Sequence, residues 1–444
     1  MTTESTNAAQ QDVLLAHQQA YANFSQSDGV ADTGWLQPMR ERAMQTFART
    51  GFPTTRDEDW KYTNLTKVAD RSAAYLKQLP TAANPDTTTA LLARLAGISG
   101  CYSVVFANGQ FQQNLSKLPE PDSGFKIATL RGADDEVRQE VQAHLGQQAQ
   151  IDAFRLAALN TAFLSDGVVI TVPAGQAVSK PMHVVFVATG QQASSQPRVL
   201  LSMGENSQAV LIEHHLGQGP GLTNAITEID CAQGARIKYI KIQEDDEDAY
   251  HLAAQHVSLA DDCSFESLHL DLGSKLARND LQVTLNGTGS TANLYGLFLV
   301  DGERHIDNHT RIDHRAEHTT SRESYRGVID DRGRGVFNGK IIVHSGADQT
   351  DAQLNNRNLL LSPTAEVDTK PELEIYTDDV KCSHGTTTGQ LDANAIFYLQ
   401  ARGIPKMEAR QMLIGAFARE MISQIEVEAL GKYIETIVTQ RLPD

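Results

Sequence analysis

Cysteine is scarce in this chain, and what there is lies scattered. Among 444 residues there are four cysteines, at Cys101, Cys231, Cys263 and Cys382, with no CxxC spacing. A disulfide framework belongs to short, cysteine-dense secreted chains, so none is expected. Four thiols of this one chain closing round a single cluster are equally unexpected. Cys101, Cys231 and Cys263 read as small buried hydrophobes. Positive charge is also short, with 38 Lys and Arg against 55 Asp and Glu and a formal net charge of −17. Such a surface repels phosphate backbones and anionic lipid, so neither nucleic acid nor a membrane is an expected partner. No apolar run approaches the roughly 20 residues a membrane helix needs. The first basic side chain is Arg40, so neither a secretory signal nor an Arg-rich transit peptide is expected, and the expected location is cytoplasmic.

Several catalytic signatures are missing too. The stretch GRGVFNGK at 333–340 has the look of a phosphate-binding loop. Neither of its glycine pairs leaves the four-residue gap that loop requires, and Ile341 stands where Ser or Thr would hold magnesium. No GxSxG elbow is present for acyl chemistry. The chain is therefore expected to bind no nucleotide by any such motif. His305, His309, His314 and His318 cluster in sequence. Ile306, Thr310 and Ile312 between them suggest strands and turns, which would scatter the imidazoles rather than gather them on a metal.

What is present divides the chain into three expected units, 1–165, 166–392 and 393–444, in keeping with a length beyond one core. The first 34 residues read as a loosely held tail with one helical patch at 13–24. Met39, Ala43, Met44 and Phe47 then recur at helical spacing, and Gly51-Phe52-Pro53 stops that helix. TTRDEDWKYTNL follows, with Trp60 and Tyr62 among charges, and reads as an anchoring turn that packs the helices on the next unit. Further helices are expected at 88–95, 134–145 and 153–164, with a strand at 102–107.

Strands dominate from 167 to 392. Leu268, Leu270 and Leu272 alternate with Ser267, His269 and Asp271, and Leu281, Val283 and Leu285 alternate with Asp280, Gln282 and Thr284. That period of two predicts strands with one buried and one wet face. Turn signals such as Asn286-Gly287 and Asp301-Gly302 recur about every dozen residues. Without intervening helices, a sandwich, a barrel or a β-solenoid remains, and the number of short strands favours the solenoid. Periodicity alone leaves parallel and antiparallel pairing open. After 393 the period becomes helical. Pro405 suits a first turn, and Ala409, Met412, Leu413, Ala416 and Phe417 form one expected buried face. Val427, Leu430, Ile434, Ile437 and Val438 form a second, and both faces are expected to pack together and on the end of the β-unit.

The stretch 322–392 carries the chemistry. Cys382 and His384 sit two apart, after Asp378-Asp379 and before Gly385 and a threonine run. On a strand they project to one face about 7 Å apart. Sulfur and imidazole so placed suit iron, but two ligands do not complete a cluster site, so the rest would have to come from another chain. The alternative is a buried thiol with a hydrogen-bonded histidine at the sheet end.

The words LNNRNLLLSPTAEVDTKPELEIYTDDVKCSHGTTTGQLD and FYLQARGI, with TTRDEDWKYTNL near the N-terminus, resemble the SufB/SufD family of iron–sulfur cluster assembly proteins. KPELEIYTDDVKCSHG is similar to the SufD branch. The acidic EHEATTS pattern of the SufB branch is absent, so a role as sulfur acceptor is not implied. The resemblance implies a mainly β fold, a right-handed parallel β-helix core with helical N-terminal and C-terminal domains. It implies a scaffold subunit, no enzyme in itself, that pairs with a SufB-like paralogue and builds a transient, shared iron–sulfur cluster at the interface, with ATP hydrolysis left to a partner. His384 of the Cys382-Ser383-His384-Gly385 motif is the implicated residue, with Cys382 beside it in a less defined role. It also implies a SufC-like ABC ATPase docked on the C-terminal helices, and a homodimer as one state of the isolated chain. Two other classes compete: a solenoid that only binds protein, and a β-helix enzyme acting on polysaccharide. Against the latter stand the 6% of aromatic residues and the lack of a Ca²⁺-type carboxylate group in the strands.

Overall fold

A computed structural model describes residues 3–79, 82–191 and 193–441; the expected outer limits of the chain's units, 1 and 444, lie outside it. The N-terminal part holds α1 (Thr3–Ser25), α2 (Gln37–Thr50), α3 (Thr66–Leu76) and α4 (Pro85–Ala93). Strands β1 (Tyr102–Ala107), β2 (Gln110–Phe111) and β3 (Lys126–Thr129) follow, then α5 (Asp135–His144) and α6 (Arg155–Ala162). Residues 3–12 of the expected tail are instead part of α1, which begins ten residues before the apolar patch, while residues 1–2 lie outside the described residues. Its Ala- and Gln-rich opening has enough intrinsic helix propensity to extend the patch backwards. One terminus follows the expected stop at Gly51, and a second shows a side-chain cap. Helix α2 ends at Gly51 with φ 62°, a conformation that costs glycine nothing. Helix α5 starts where the Asp134 carboxylate accepts from the Val137 amide at 2.9 Å.

From β4 (Val168–Val172) the chain coils. Strands β5 (Met182–Thr189), β6 (Ala193–Ser195), β7 (Arg198–Met203), β8 (Gln208–Gln218) and β9 (Gly221–Cys231) lead in. The middle comprises β10 (Arg236–Glu244), β11 (Tyr250–Leu259), β12 (Ser264–Asp271), β13 (Leu276–Leu285), β14 (Thr291–Val300) and β15 (His305–His314). The last are β16 (Thr320–Ile329), β17 (Arg334–Val343), β18 (Thr350–Leu360), β19 (Glu366–Ile375) and β20 (Val380–Gly389). Even-numbered strands from β8 onward stack in one sheet beyond β1 and β5, and odd-numbered strands from β7 onward in the other beyond β4. Each pairs in parallel with the strand one coil on; among the described strands the antiparallel pairs are β1–β2 and β3–β4. The result is a β-solenoid of about 8 turns with helices at both termini. Lys241, His269, Gly296, Tyr325, Asn356 and Thr386 are successive register neighbours. The coils between them differ in length by a few residues, which is why no crisp repeat shows in the sequence.

The alternation read from sequence is real, but one of its faces is inverted. In β13, Leu281, Val283 and Leu285 fill the lumen core as expected. In β12, Leu268 and Leu270 point outward, into a cluster formed with the C-terminal helices. Ser267, His269 and Asp271 are the side chains turned into the lumen, and all three are buried. Strand β12 is covered on both sides, so neither of its faces is wet.

Those helices are α7 (Ala393–Gln400), α8 (Lys406–Ile422) and α9 (Glu428–Arg441). They lie along the flank of the even-strand sheet, with Ile414, Ala418, Met421, Ile434 and Val438 on Ile240, Ile242, Leu270, Leu297 and Leu299. The expectation that they pack on the end of the β-unit is corrected accordingly. The buried face of α8 is Ala409, Ile414, Ala418, Met421 and Ile422, rotated from the expected one. Leu413 and Phe417 are half-buried, and Met412 and Ala416 face outward. Arg326 of β16 sets the rotation: its guanidinium donates to the Phe417 carbonyl at 2.7 Å and pairs with Glu420.

Candidate functional site

The solenoid ends differently on its two sides. At the start, β1–β4 and a set of rings close the lumen: Phe106 stacks on Phe186 at 5.3 Å, and Tyr102 meets Phe125 at 5.3 Å. At the finish, β19 is half-buried along nearly its whole length and β20 is largely exposed. Each is the terminal strand of its sheet, with one row of backbone groups left for another chain.

Cys382 and His384 lie in β20, at this open end. Cys382 pairs in register with Ala352 and His384 with Leu354, and both partners belong to the lumen core. The two side chains therefore share the lumenal side of the last coil. Cys382 packs half-buried against that core. Burial pushes its thiol up, with Asp351 adding to the effect, so it stays protonated near neutrality. A metal or a base would have to remove that proton before sulfur could serve as a ligand. His384 is exposed. It borders a depression of about 360 Å³ on the flank of the same strands, lined by Tyr295, Arg322, Ser324, Gln353 and Asn355 among others.

The remaining candidates do not join them. Cys231 and Cys263 are buried in the lumen core, and Cys101 is a half-buried neighbour of the outer cluster. His305 meets Thr63 at 2.8 Å, His309 meets Asp307 at 3.0 Å, and His314 is held in the lumen by Thr319 and Ser321. His318 sits in a turn at φ 58°. The glycine-rich stretch 333–340 is mostly β17. Among the described residues no group of three or more His, Cys, Asp and Glu is placed to hold a metal. The anchoring segment does what its composition suggested. Trp60 covers Arg278 at 3.9 Å, and Lys370 of β19 reaches Glu58 at 2.7 Å.

Sequence reading missed Glu323. Tyr239, Ser267, Leu294, Glu323, Leu354 and His384 form one lumenal column. Glu323 thus lies two coils inside His384, about 10 Å away at the usual strand spacing. Burial holds its carboxyl protonated, pushed up to about 8, although a hydrogen bond from Thr310 works the other way. Its place in the alternation Arg322, Glu323, Ser324, Tyr325 was visible, but which face was lumenal was not.

Two family descriptions cover most of the chain. Residues 186–417 match the SUF system FeS cluster assembly, SufBD core domain, and residues 16–184 match the SufBD protein N-terminal region. The chain belongs to the SufBD family. The iron–sulfur cluster assembly protein SufD of Escherichia coli (strain K12) is 33% identical over 91% of this chain and 93% of its own length. A SufBD family protein of Synechocystis is 31% identical, covering 90% of both chains. The SufD of Bacillus subtilis is 22% identical over 97% of this chain and 98% of its own. The SufBD core description thus reaches from β5 through the C-terminal helix α8, and Cys382 and His384 fall inside it.

Proposed function

We propose that this chain is the SufD-like subunit of a cytoplasmic iron–sulfur cluster assembly scaffold, itself without catalytic activity. The open end of the solenoid supports this most directly. Two terminal strands with free edges flank the lumenal pair Cys382 and His384, and a paralogous SufB-like solenoid added strand to strand would cover them. The cluster is the cargo of such an assembly, transient and shared. His384 supplies an imidazole from this side, Cys382 lies within reach, and the partner provides the remaining ligands. A second surface supports docking of a SufC-like ABC ATPase on the C-terminal helices. Phe397 and Tyr398 of α7 and Met407 and Met412 of α8 are exposed at 71%, 57%, 52% and 48%, a concentration of apolar surface that favours a protein partner. ATP hydrolysis belongs to that partner. In its absence a homodimer through the same open end satisfies the same edges.

Co-expression with the SufB-like and SufC-like proteins of the same organism tests this, followed by anaerobic purification and visible absorption. The expected result is a three-protein complex that carries an iron–sulfur chromophore, with His384→Ala keeping the complex and losing most of the colour. If this chain purifies alone, or if His384→Ala leaves the chromophore unchanged, the proposal fails.

A further inference from the structure

The lumen of the solenoid is far more polar than a packed core requires. Glu213 accepts from Tyr239 at 2.8 Å and from Thr227 at 2.5 Å, and meets His215 at 2.7 Å. Lys241 meets Asn279 at 2.7 Å and His251 at 3.0 Å. Three coils on from Thr227 and Tyr239, at β15 and β16, Thr310 donates to Glu323 across the lumen. In each case protein groups answer one another, although His215 Nδ1 and Glu323 Oε2 find no partner among the described residues.

Between these two levels stands a rung where they do not. Gln255 occupies the position of Thr310 two coils earlier, through Leu281, and Ser267 occupies the position of Glu323 two coils earlier, through Leu294. Gln255 and Ser267 therefore face each other as Thr310 and Glu323 do. His269 lies beside Ser267 on the same face of β12, edge-on to Tyr239 at 5.8 Å. Gln255 and Ser267 are fully buried and His269 is 1% exposed. Yet the amide oxygen and nitrogen of Gln255, the Ser267 hydroxyl and both His269 ring nitrogens have no hydrogen-bond partner among the described residues. Buried polar atoms without a partner are rare in native structures, and each costs on the order of 1–3 kcal/mol.

We infer that this rung is an internal hydration site, a small group of ordered waters enclosed by Gln255, Ser267 and His269. Its chemistry selects water over an ion. Gln255 offers a donor and an acceptor, Ser267 offers both, and a neutral imidazole offers one of each, so the set carries no net charge. Burial and the neighbouring Lys241 keep the His269 ring neutral. Leu281 and Leu294 form the next rung toward the open end and seal the site from it. The water is thus structural and long-lived, satisfying atoms that the side chains opposite cannot reach.

A high-resolution crystal structure of the full chain tests this first. The expected density shows ordered solvent within hydrogen-bond distance of at least three of the five atoms. A second measurement counts long-lived internal waters by oxygen-17 relaxation dispersion in solution, comparing the native chain with the Gln255→Leu/Ser267→Ala double variant. The count should fall in the variant. A dry lumen in which Gln255 and His269 bond to each other or to Lys241 overturns the inference, as does density for an ion at the site. An unchanged water count in a folded double variant overturns it too.

Discussion

The two ends of the solenoid are made of the same strands and treated oppositely. At the first end the lumen is plugged by Phe106, Phe125 and Phe186 and bounded by antiparallel additions to each sheet. At the last end, threonines, Cys382 and His384 occupy the lumenal positions of β20, and both sheets stop with a bare edge. The difference teaches that an end of a stacked fold can be finished with its own side chains or left for another molecule. Composition distinguishes the two: aromatic rings where the chain closes itself, small polar groups where it does not.

That comparison can be broken most forcefully at the closed end. Phe106→Ala should cost about 3–5 kcal/mol, whereas Ile375→Ala, at the open end and 41% exposed, should cost less than about 1 kcal/mol. Denaturant midpoints of the isolated chain check the pair, and similar losses would show that the ends are not energetically distinct. Near the closed end, Arg198 and Glu228 form a buried pair at 2.5 Å, and Glu228 also accepts from the Gly146, Gln148 and Ala149 amides. Arg198→Met strands that carboxylate and should cost about 3–5 kcal/mol in the same assay.

Glu323 gives a smaller, pH-dependent effect nearer the open end. Its folded pKa, about 8, stands above the ordinary 4.5. Between those values the unfolded chain has released a proton that the folded chain keeps. The carboxyl's contribution is therefore fully present below the ordinary value and is lost as pH rises through the folded one, by at most about 1.4 kcal/mol per pH unit. Glu323→Gln should flatten that part of the profile; urea titrations across the interval decide it, and an unchanged slope would mean the carboxyl is ionised in the fold. The smallest expected change in stability is for Met412→Asp on the outer face of α8, within about 0.5 kcal/mol, with ATPase co-purification lost. Retained co-purification would move the docking surface elsewhere.

How much of this was legible depended on what the residue pattern could encode. Cys382 and His384 could be placed on one face because a strand's period of two is set by its own backbone. Which face is lumenal is decided by what covers the other side, and β12 shows the consequence. Its leucines face outward because α8 and α9 lie there, which leaves its polar residues facing the lumen, where Asp271 accepts from Asn279 at 2.7 Å. Helix α8 was misoriented for a related reason. Its sequence carries apolar residues on more than one side, and the spacing picked the face with Met412 and Ala416, whereas Ile414, Ala418 and Met421 are the side chains that meet the sheet. The helix stop at Gly51 was readable because its chemistry is local.

The glycines of the last coils carry a consequence for how this architecture can change over time. A methyl group on Gly296 would meet the Tyr325 ring at 2.1 Å, one on Gly327 the Phe298 ring at 2.4 Å, and one on Gly339 Leu354 at 2.4 Å. Each coil leaves a notch that a side chain from a neighbouring strand fills. Simple stacked repeats gain or lose units because each contacts only interchangeable neighbours. Here the units are keyed, so duplicating or deleting a coil between β14 and β18 sets ring against ring or leaves a notch empty. The length of this solenoid is thereby locked, and lineages carrying it should vary in loops and termini while conserving the number of coils.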